Sequence, residues 1–200
     1  LYGGIYFLSW KASVLRLINT DSQKFINQLR ASSLKSIKVV KRLRNYIDWK
    51  KNEDIDSSPV EDMLFDFCTT IDKSEIVVLT HVTSPFLKKQ TILDAIDVLQ
   101  KDHKSKSIHS VHQVQDFVWL QGASETVPIN FFTDRVQQTQ DLPPILVSKG
   151  AFFIAKAGDI LDQQSRLPDP LLFFPLDHMQ ALEIDNLGDL EFARILRQQS

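Results

Sequence analysis

Glu183 and Asp185 stand two apart in the stretch LEIDNLGD. If that stretch is extended, both carboxylates point to the same side, a geometry suited to one Mg2+ shared with phosphate oxygens. Asp189 either joins them or caps the helix that follows. A second group, His81, Thr83 and Ser84 in THVTSP, ends a strongly apolar run. Hydroxyls and free amides at such a corner hold a phosphate or a sugar hydroxyl. Asn19, Thr20, Asp21 and Ser22 make a third polar corner. Each group also has a plainer explanation, since Ser and Thr cap helices in any α/β protein and acidic pairs two apart are common on exposed strands.

Other chemistries find less support. The five histidines give no zinc-ligand spacing, and His109 and His112, three apart in an extended stretch, face opposite sides and are expected at surface or turn positions. Only His81 is placed to meet a ligand. The sequence holds no G-x-S-x-G and no glycine-rich phosphate loop. Cys68 lies in an apolar helix stripe, which argues against a nucleophile. As the lone cysteine it forms no internal disulfide, and a reducing, cytoplasmic setting is expected. A formal charge of −2 provides no field for nucleic acid or an anionic membrane. The one basic concentration, Lys35, Lys38, Lys41, Arg42, Arg44, Lys50 and Lys51, reads as a solvated face. No apolar run reaches the roughly 18 residues of a membrane span, and the opening LYGGIYFLSW lacks the basic flank and cleavage site of a signal peptide.

The elements that must position these corners alternate between strand and helix. Residues 13–19 (SVLRLIN) read as a strand, followed by a helix carrying Phe25, Ile26 and Leu29. Residues 37–41 are a short strand, and Ser58, Pro59 and Glu61 offer a capping box. Val60, Met63, Leu64 and Phe67 form the apolar stripe of the next helix. EIVVLT at 75–80 is the best strand, continuously apolar as in a central strand covered on both faces. The clearest helix has Ile92, Ala95, Ile96 and Leu99 at i, i+3, i+4 and i+7. Strands follow at 107–111, 116–120, 151–155 and 171–174, with 182–185 short and extended. Leu190, Phe192, Ile195 and Leu196 close the chain as a helix. Residues 122–144 are polar, proline-punctuated and read as loop or extension. The whole predicts a single α/β domain over 1–200, of three layers around a mostly parallel sheet, with ligands at the carboxyl ends of the strands.

Taken in order, these corners resemble the acylneuraminate cytidylyltransferase family. Ile18-Asn19-Thr20-Asp21-Ser22 resembles its V-S-T-D corner, and Val40-Lys41-Arg42 with Asp56-Ser57-Ser58 its R-P to D-S-S segment. VLTHVTSP at 78–85 resembles L-L-Q-P-T-S-P. TQDLP at 139–143 with KGAFFIA at 149–155 resembles its Q-D-L-P and N-G-x-F-F-I block, and EIDNLGD at 183–189 its I-D-I-D metal corner. The resemblance covers about residues 14–197. It implies a nucleotide-diphospho-sugar transferase (Rossmann-like) fold and transfer of CMP from CTP to an acidic sugar, N-acetylneuraminate or a related nonulosonate, with release of pyrophosphate.

Carried over residue by residue, the resemblance puts Asn19 near the cytosine, with Asp21 in the same corner. His81 takes the place of a sugar-contacting Gln, and Thr83 and Ser84 belong to the substrate corner. Gln140 lies in the Q-D-L-P block, with Arg135 substituting for an Arg expected where Gln138 stands. Phe152 and Phe153 would line the acidic-sugar pocket, and Glu183 and Asp185 would bind Mg2+. Residues 122–144 would form a dimerisation extension, making a homodimer. The family's A-R-x-G-S-K loop, which cradles the triphosphate, is not in the sequence. Residues 1–10 resemble the segment after that loop, so a chain lacking its triphosphate-binding start, and with little CMP-transfer activity as it stands, is expected. A synthetase for a different acidic sugar and a degenerate, non-catalytic sugar-nucleotide-binding domain are the alternatives.

Overall fold

The computed structural model describes residues 5–10, 60–81, 83–135 and 137–199. The corner at Asn19 and Asp21, the strands at 13–19 and 37–41, Ser58, Pro59 and the basic concentration lie outside the described residues.

Five described strands form one sheet in the order β1 (Ile5–Trp10), β2 (Ile76–His81), β6 (Ile145–Lys156), β3 (Ser107–Val114), β7 (Leu171–Leu176). β1 pairs with β2 in parallel and β3 with β7 in parallel, while β6 runs antiparallel to both of its neighbours. Four of the five strands therefore share one direction, as expected for a mostly parallel sheet. Residues 5–10, which resemble the segment after a phosphate-binding loop, form a strand in register from Ile5 opposite Ile76 to Trp10 opposite His81.

Side-chain alternation sorts the core onto two faces. Ile76, Val78, Phe152, Ile154 and Ile108 face helix α2 (Lys89–Lys101), whose Ile92, Ala95, Ile96 and Leu99 are all buried against them. Each large aliphatic buried this way contributes about 1.5–3 kcal/mol. Val77, Leu79, Phe153 and Ala155 face the opposite way, toward α1 (Val60–Thr69) and α3 (Ala157–Gln163). The result is three layers. Within α1 the Cys68 thiol is fully buried, and burial pushes its pKa up to about 12, so it is inert, as the sequence suggests.

Several boundaries differ from expectation. The strand expected at 116–120 is β4 (Trp119–Gln121), which pairs with β5 (Thr126–Pro128) in a two-stranded hairpin. This hairpin gives structure to the start of the 122–144 stretch. Its base is tied down by buried Asn130, whose Oδ1 accepts from Val118 N–H at 3.0 Å and whose Nδ2 donates to Asp116 O at 2.8 Å and Pro143 O at 3.1 Å. Residues 182–185 are not a strand. The closing helix, α4 (Leu187–Gln199), forms as expected, but Phe192 and Ile195 are about half exposed rather than buried. No helix among the described residues is long and apolar enough to cross a membrane.

Candidate active site

The carboxyl ends of β1 and β2 lie side by side at Trp10 and His81. Just beyond β2 the chain turns through Thr83 and Ser84, both buried, with Ser84 N–H donating to His81 O at 3.3 Å. Ser84 Oγ is buried and has no hydrogen-bond partner among the described residues. The 177–185 segment is fastened to the same corner from two sides. Ile184 N–H donates to Thr83 O at 2.8 Å. Gln180 Oε1 accepts from Lys88 N–H at 3.1 Å and Thr91 Oγ at 2.6 Å, at the start of α2. Asp177, accepting from the Gln180 backbone and side chain at 2.8 Å each, is held below the usual carboxylate range by those bonds.

β6 reaches this corner through an irregularity. The β3–β6 register runs to His109 opposite Phe153 and resumes at Val111 opposite Ser148. Between those pairs β3 supplies Ser110 alone, whereas β6 supplies Lys149, Gly150, Ala151 and Phe152. Ser110 Oγ staples the bulge, donating to Lys149 O at 2.6 Å and accepting from Phe152 N–H at 3.0 Å. Bulges of this kind re-aim side chains and recur beside active sites. This one carries Gly150 to Glu183 Oε1, 2.7 Å from its N–H, and Lys149 Nζ to Glu183 Oε2 at 3.4 Å. A Cβ at Gly150 would lie 2.8 Å from both Glu183 Oε1 and His81 Nδ1, so glycine is what lets the three segments meet.

Below the corner, on the α1 and α3 face, His109 stacks on Phe153 with ring centroids 4.4 Å apart, and His81 tilts against the same ring at 5.7 Å. The Arg166 guanidinium sits 4.6 Å from the Phe153 centroid and pairs through Nε with Glu61 at 3.2 Å. His109 is fully buried, with Nδ1 3.2 Å from Phe152 O. This corrects the expectation of a surface or turn position. Burial pulls its pKa below 6.5, the bond to the Phe152 carbonyl opposes that shift, and Arg166 and His81 add to it while Glu183 opposes it.

Of the residues singled out in the sequence, the structure brings together His81, Thr83, Ser84, Phe153 and Glu183. Phe152 is not with them. It is adjacent to Phe153 in a strand, so it must face the opposite side, and it is fully buried in the α2-side core edge-on to Phe174 at 5.9 Å. Arg135 and Gln140 are exposed on the 122–144 stretch, Arg135 over Phe132 at 4.9 Å and Gln140 bonded to Gln138. Asp189 is a cap: it accepts from Asp185 N–H at 2.9 Å and Asn186 N–H at 3.1 Å, while Asn186 Oδ1 accepts from Asp189 N–H at 3.1 Å. Asp185 is exposed. No group of three or more His, Cys, Asp or Glu side chains suited to a metal ion occurs among the described residues. Glu183, with both oxygens engaged by protein donors, does not fit the role of Mg2+ ligand in this arrangement. Asp185 does fit it. Sequence reasoning passed over Ser110 and Arg166 because their partners, β6 for Ser110 and Phe153 with Glu61 for Arg166, are distant in sequence.

The mixed sheet between helical layers belongs to the Rossmann-like nucleotide-diphospho-sugar transferase fold. The chain is similar in structure to 4-diphosphocytidyl-2C-methyl-D-erythritol synthase from Anaerococcus prevotii, at 14% identity and a TM-score of 0.59, over 98% of this chain and 99% of that one. It is similar also to the 2-C-methyl-D-erythritol 4-phosphate cytidylyltransferase of Francisella tularensis, at 10% identity and a TM-score of 0.57, over 96% and 99% of the two chains. A CMP:2-keto-3-deoxy-manno-octonic acid synthetase solved with CTP matches at 12% identity and a TM-score of 0.56, over 98% of each chain. These end-to-end alignments lend no support to the expected loss of a leading segment. Neither a scan of protein-family models nor a search of the curated proteins finds a match.

Proposed function

We propose that the chain is a CTP-dependent cytidylyltransferase that transfers CMP to the hydroxyl of an acidic sugar. The observation carrying this reading is the meeting of His81, Thr83, Ser84, the Lys149–Gly150 bulge and the 183–185 segment at the carboxyl edge of the sheet. They meet in a fold shared with three enzymes named for cytidylyl or CMP transfer. In the proposed reaction the acceptor hydroxyl oxygen attacks the α-phosphorus of CTP, the bond to the β-phosphate oxygen breaks, and pyrophosphate leaves with the proton passing to solvent. The chain's own part is positioning and neutralisation of charge. Ser84 Oγ, buried and without a partner among the described residues, would bond a phosphate oxygen of CTP, and Thr83 would border it. His81, held against Phe153, would face the acceptor. Asp185 would hold a Mg2+ arriving with the triphosphate, supplying neutralisation of phosphate charge. Asn19 and Asp21 would take the nucleotide side of the site, by the resemblance alone, and N-acetylneuraminate or a related nonulosonate is the acceptor that resemblance favours.

A second reading, a non-catalytic sugar-nucleotide-binding domain, is favoured by one specific observation: no A-R-x-G-S-K pattern follows the β1 strand in the sequence. The readings part in a pyrophosphate-release assay with CTP, Mg2+ and a panel of acidic sugars. Release that requires both CTP and an acceptor supports the enzyme. Tight CTP binding without release supports the second reading.

A further inference from the structure

We propose that Glu183 is a positioning residue, a clamp that locks the β6 bulge onto the corner after β2, and that it does not ligate a divalent cation. Four contacts carry this. Glu183 Oε1 accepts from Gly150 N–H at 2.7 Å, and Oε2 pairs with Lys149 Nζ at 3.4 Å, with only 20% of the Glu183 side chain and 24% of the Lys149 side chain exposed. The next residue, Ile184, bonds Thr83 O at 2.8 Å. The same end of the bulge is stapled to β3 by Ser110 Oγ, which donates to Lys149 O at 2.6 Å. The carboxylate thus ties the bulge to the 183–185 segment, the Ile184 amide ties that segment to the corner after β2, and glycine at 150 leaves the room for the carboxylate.

The chemistry follows from charge. A bulged strand leaves backbone groups outside the ladder, and an N–H there needs an acceptor when buried. Glu183 supplies that acceptor and Lys149 balances its charge, since a half-buried carboxylate without a partner is costly. To reach a metal, Glu183 would have to turn an oxygen that already accepts from the Gly150 amide, or one paired with Lys149, toward a cation that the Lys149 ammonium beside it repels. Mg2+ in nucleotide sites is commonly held by one or two carboxylates together with substrate phosphates, so Asp185 alone suffices as the protein's share. Glu183 therefore acts on any reaction through the placement of Lys149, Gly150 and His81.

The metal arm of the test rests on the function proposed above, and the melting arm does not. Thermal melting is measured for the wild type, Glu183→Gln, Lys149→Met and the double variant. Manganese binding in the presence of CTP is followed by electron paramagnetic resonance for the wild type, Glu183→Gln and Asp185→Asn. The clamp predicts that each single variant melts about 3–8 °C lower and that the double variant melts no lower than the worse single, because the two share one contact. It also predicts Mn2+ affinity within about threefold of wild type for Glu183→Gln and a loss of at least about tenfold for Asp185→Asn. Additive melting effects, or loss of Mn2+ from Glu183→Gln as large as that from Asp185→Asn, would overturn the proposal. If Glu183→Gln does not fold, Glu183→Asp replaces it in both arms under the same outcomes. If the wild type binds no Mn2+ with CTP, the functional reading fails, and coupled or additive melting still decides the clamp.

Discussion

The Gly150 amide and the Glu183 carboxylate meet at 2.7 Å in a space that holds no methyl group. Gly150→Ala must push Glu183 Oε1 or His81 Nδ1 aside, breaking a charge-assisted bond whose loss costs about 1.5–3 kcal/mol. We expect a melting temperature about 3–8 °C lower, measured by differential scanning fluorimetry, and an unchanged value would show that the corner gives way freely. His109 offers a second residue-scale test. Burial depresses its pKa below 6.5, with Arg166 and His81 adding to the effect and the Phe152 carbonyl and Glu183 opposing it. The unfolded chain binds the proton more readily than the folded one. The stability linked to neutral His109 is therefore fully present above about pH 6.5 and is lost as pH falls through the folded value. The melting gap between wild type and His109→Gln should be wider at pH 7.5 than at pH 5.5, and an equal gap at both would contradict a neutral buried His109.

Element by element, what the sequence made legible was what one segment settles alone. The continuous run in β2 and the i, i+3, i+4, i+7 stripe of α2 announce themselves because each needs only its own side chains to define a face. Asp189 was legible as one of two roles, and the structure takes the cap: with Asn186 it satisfies the exposed amides at the start of α4. Asp189→Asn should accordingly lower stability by about 0.5–2 kcal/mol in a urea titration. No loss of stability would mean the reciprocal bonds contribute nothing. Helix α3 escaped notice because Ala-Gly-Asp-Ile-Leu-Asp-Gln is short and only Ile160 and two small residues are buried. The β6 bulge could not be read either, since a bulge is defined by what the partner strand lacks, in this case residues opposite Ser110. The opposite facing of Phe152 and Phe153 was available in principle from strand alternation, and the resemblance to an aromatic pair obscured it. The burial of His109 depends on Phe153 of neighbouring β6 stacking on its ring, which no local pattern encodes.

At the scale of the whole molecule, the 115–147 region presents Trp119, Leu120, Ile129, Phe132 and Leu146 with 43–58% of their surface exposed. Phe131 braces this region edge-on between Phe117 at 5.0 Å and Trp119 at 4.9 Å. An apolar surface on a hairpin held rigidly at its base favours the homodimer implied by the resemblance. Light scattering at micromolar concentration should give twice the chain mass of 22.9 kDa, and Leu120→Asp with Ile129→Asp should give a folded monomer. A monomeric wild type would remove the proposal. The sheet's other consequence is that every described group proposed to meet the nucleotide or acceptor gathers at one edge, beside the ends of β1 and β2. Calorimetric titration with CTP in the presence of Mg2+ tests this most directly, using UTP and ATP as competitors and Ser84→Ala as the variant. The account predicts saturable one-to-one binding of CTP, weaker binding of UTP and ATP, and an affinity about tenfold lower for Ser84→Ala, a loss of roughly 1.4 kcal/mol. A folded wild type that takes up no CTP at millimolar concentration, or that binds all three nucleotides alike with Ser84→Ala unchanged, would contradict it.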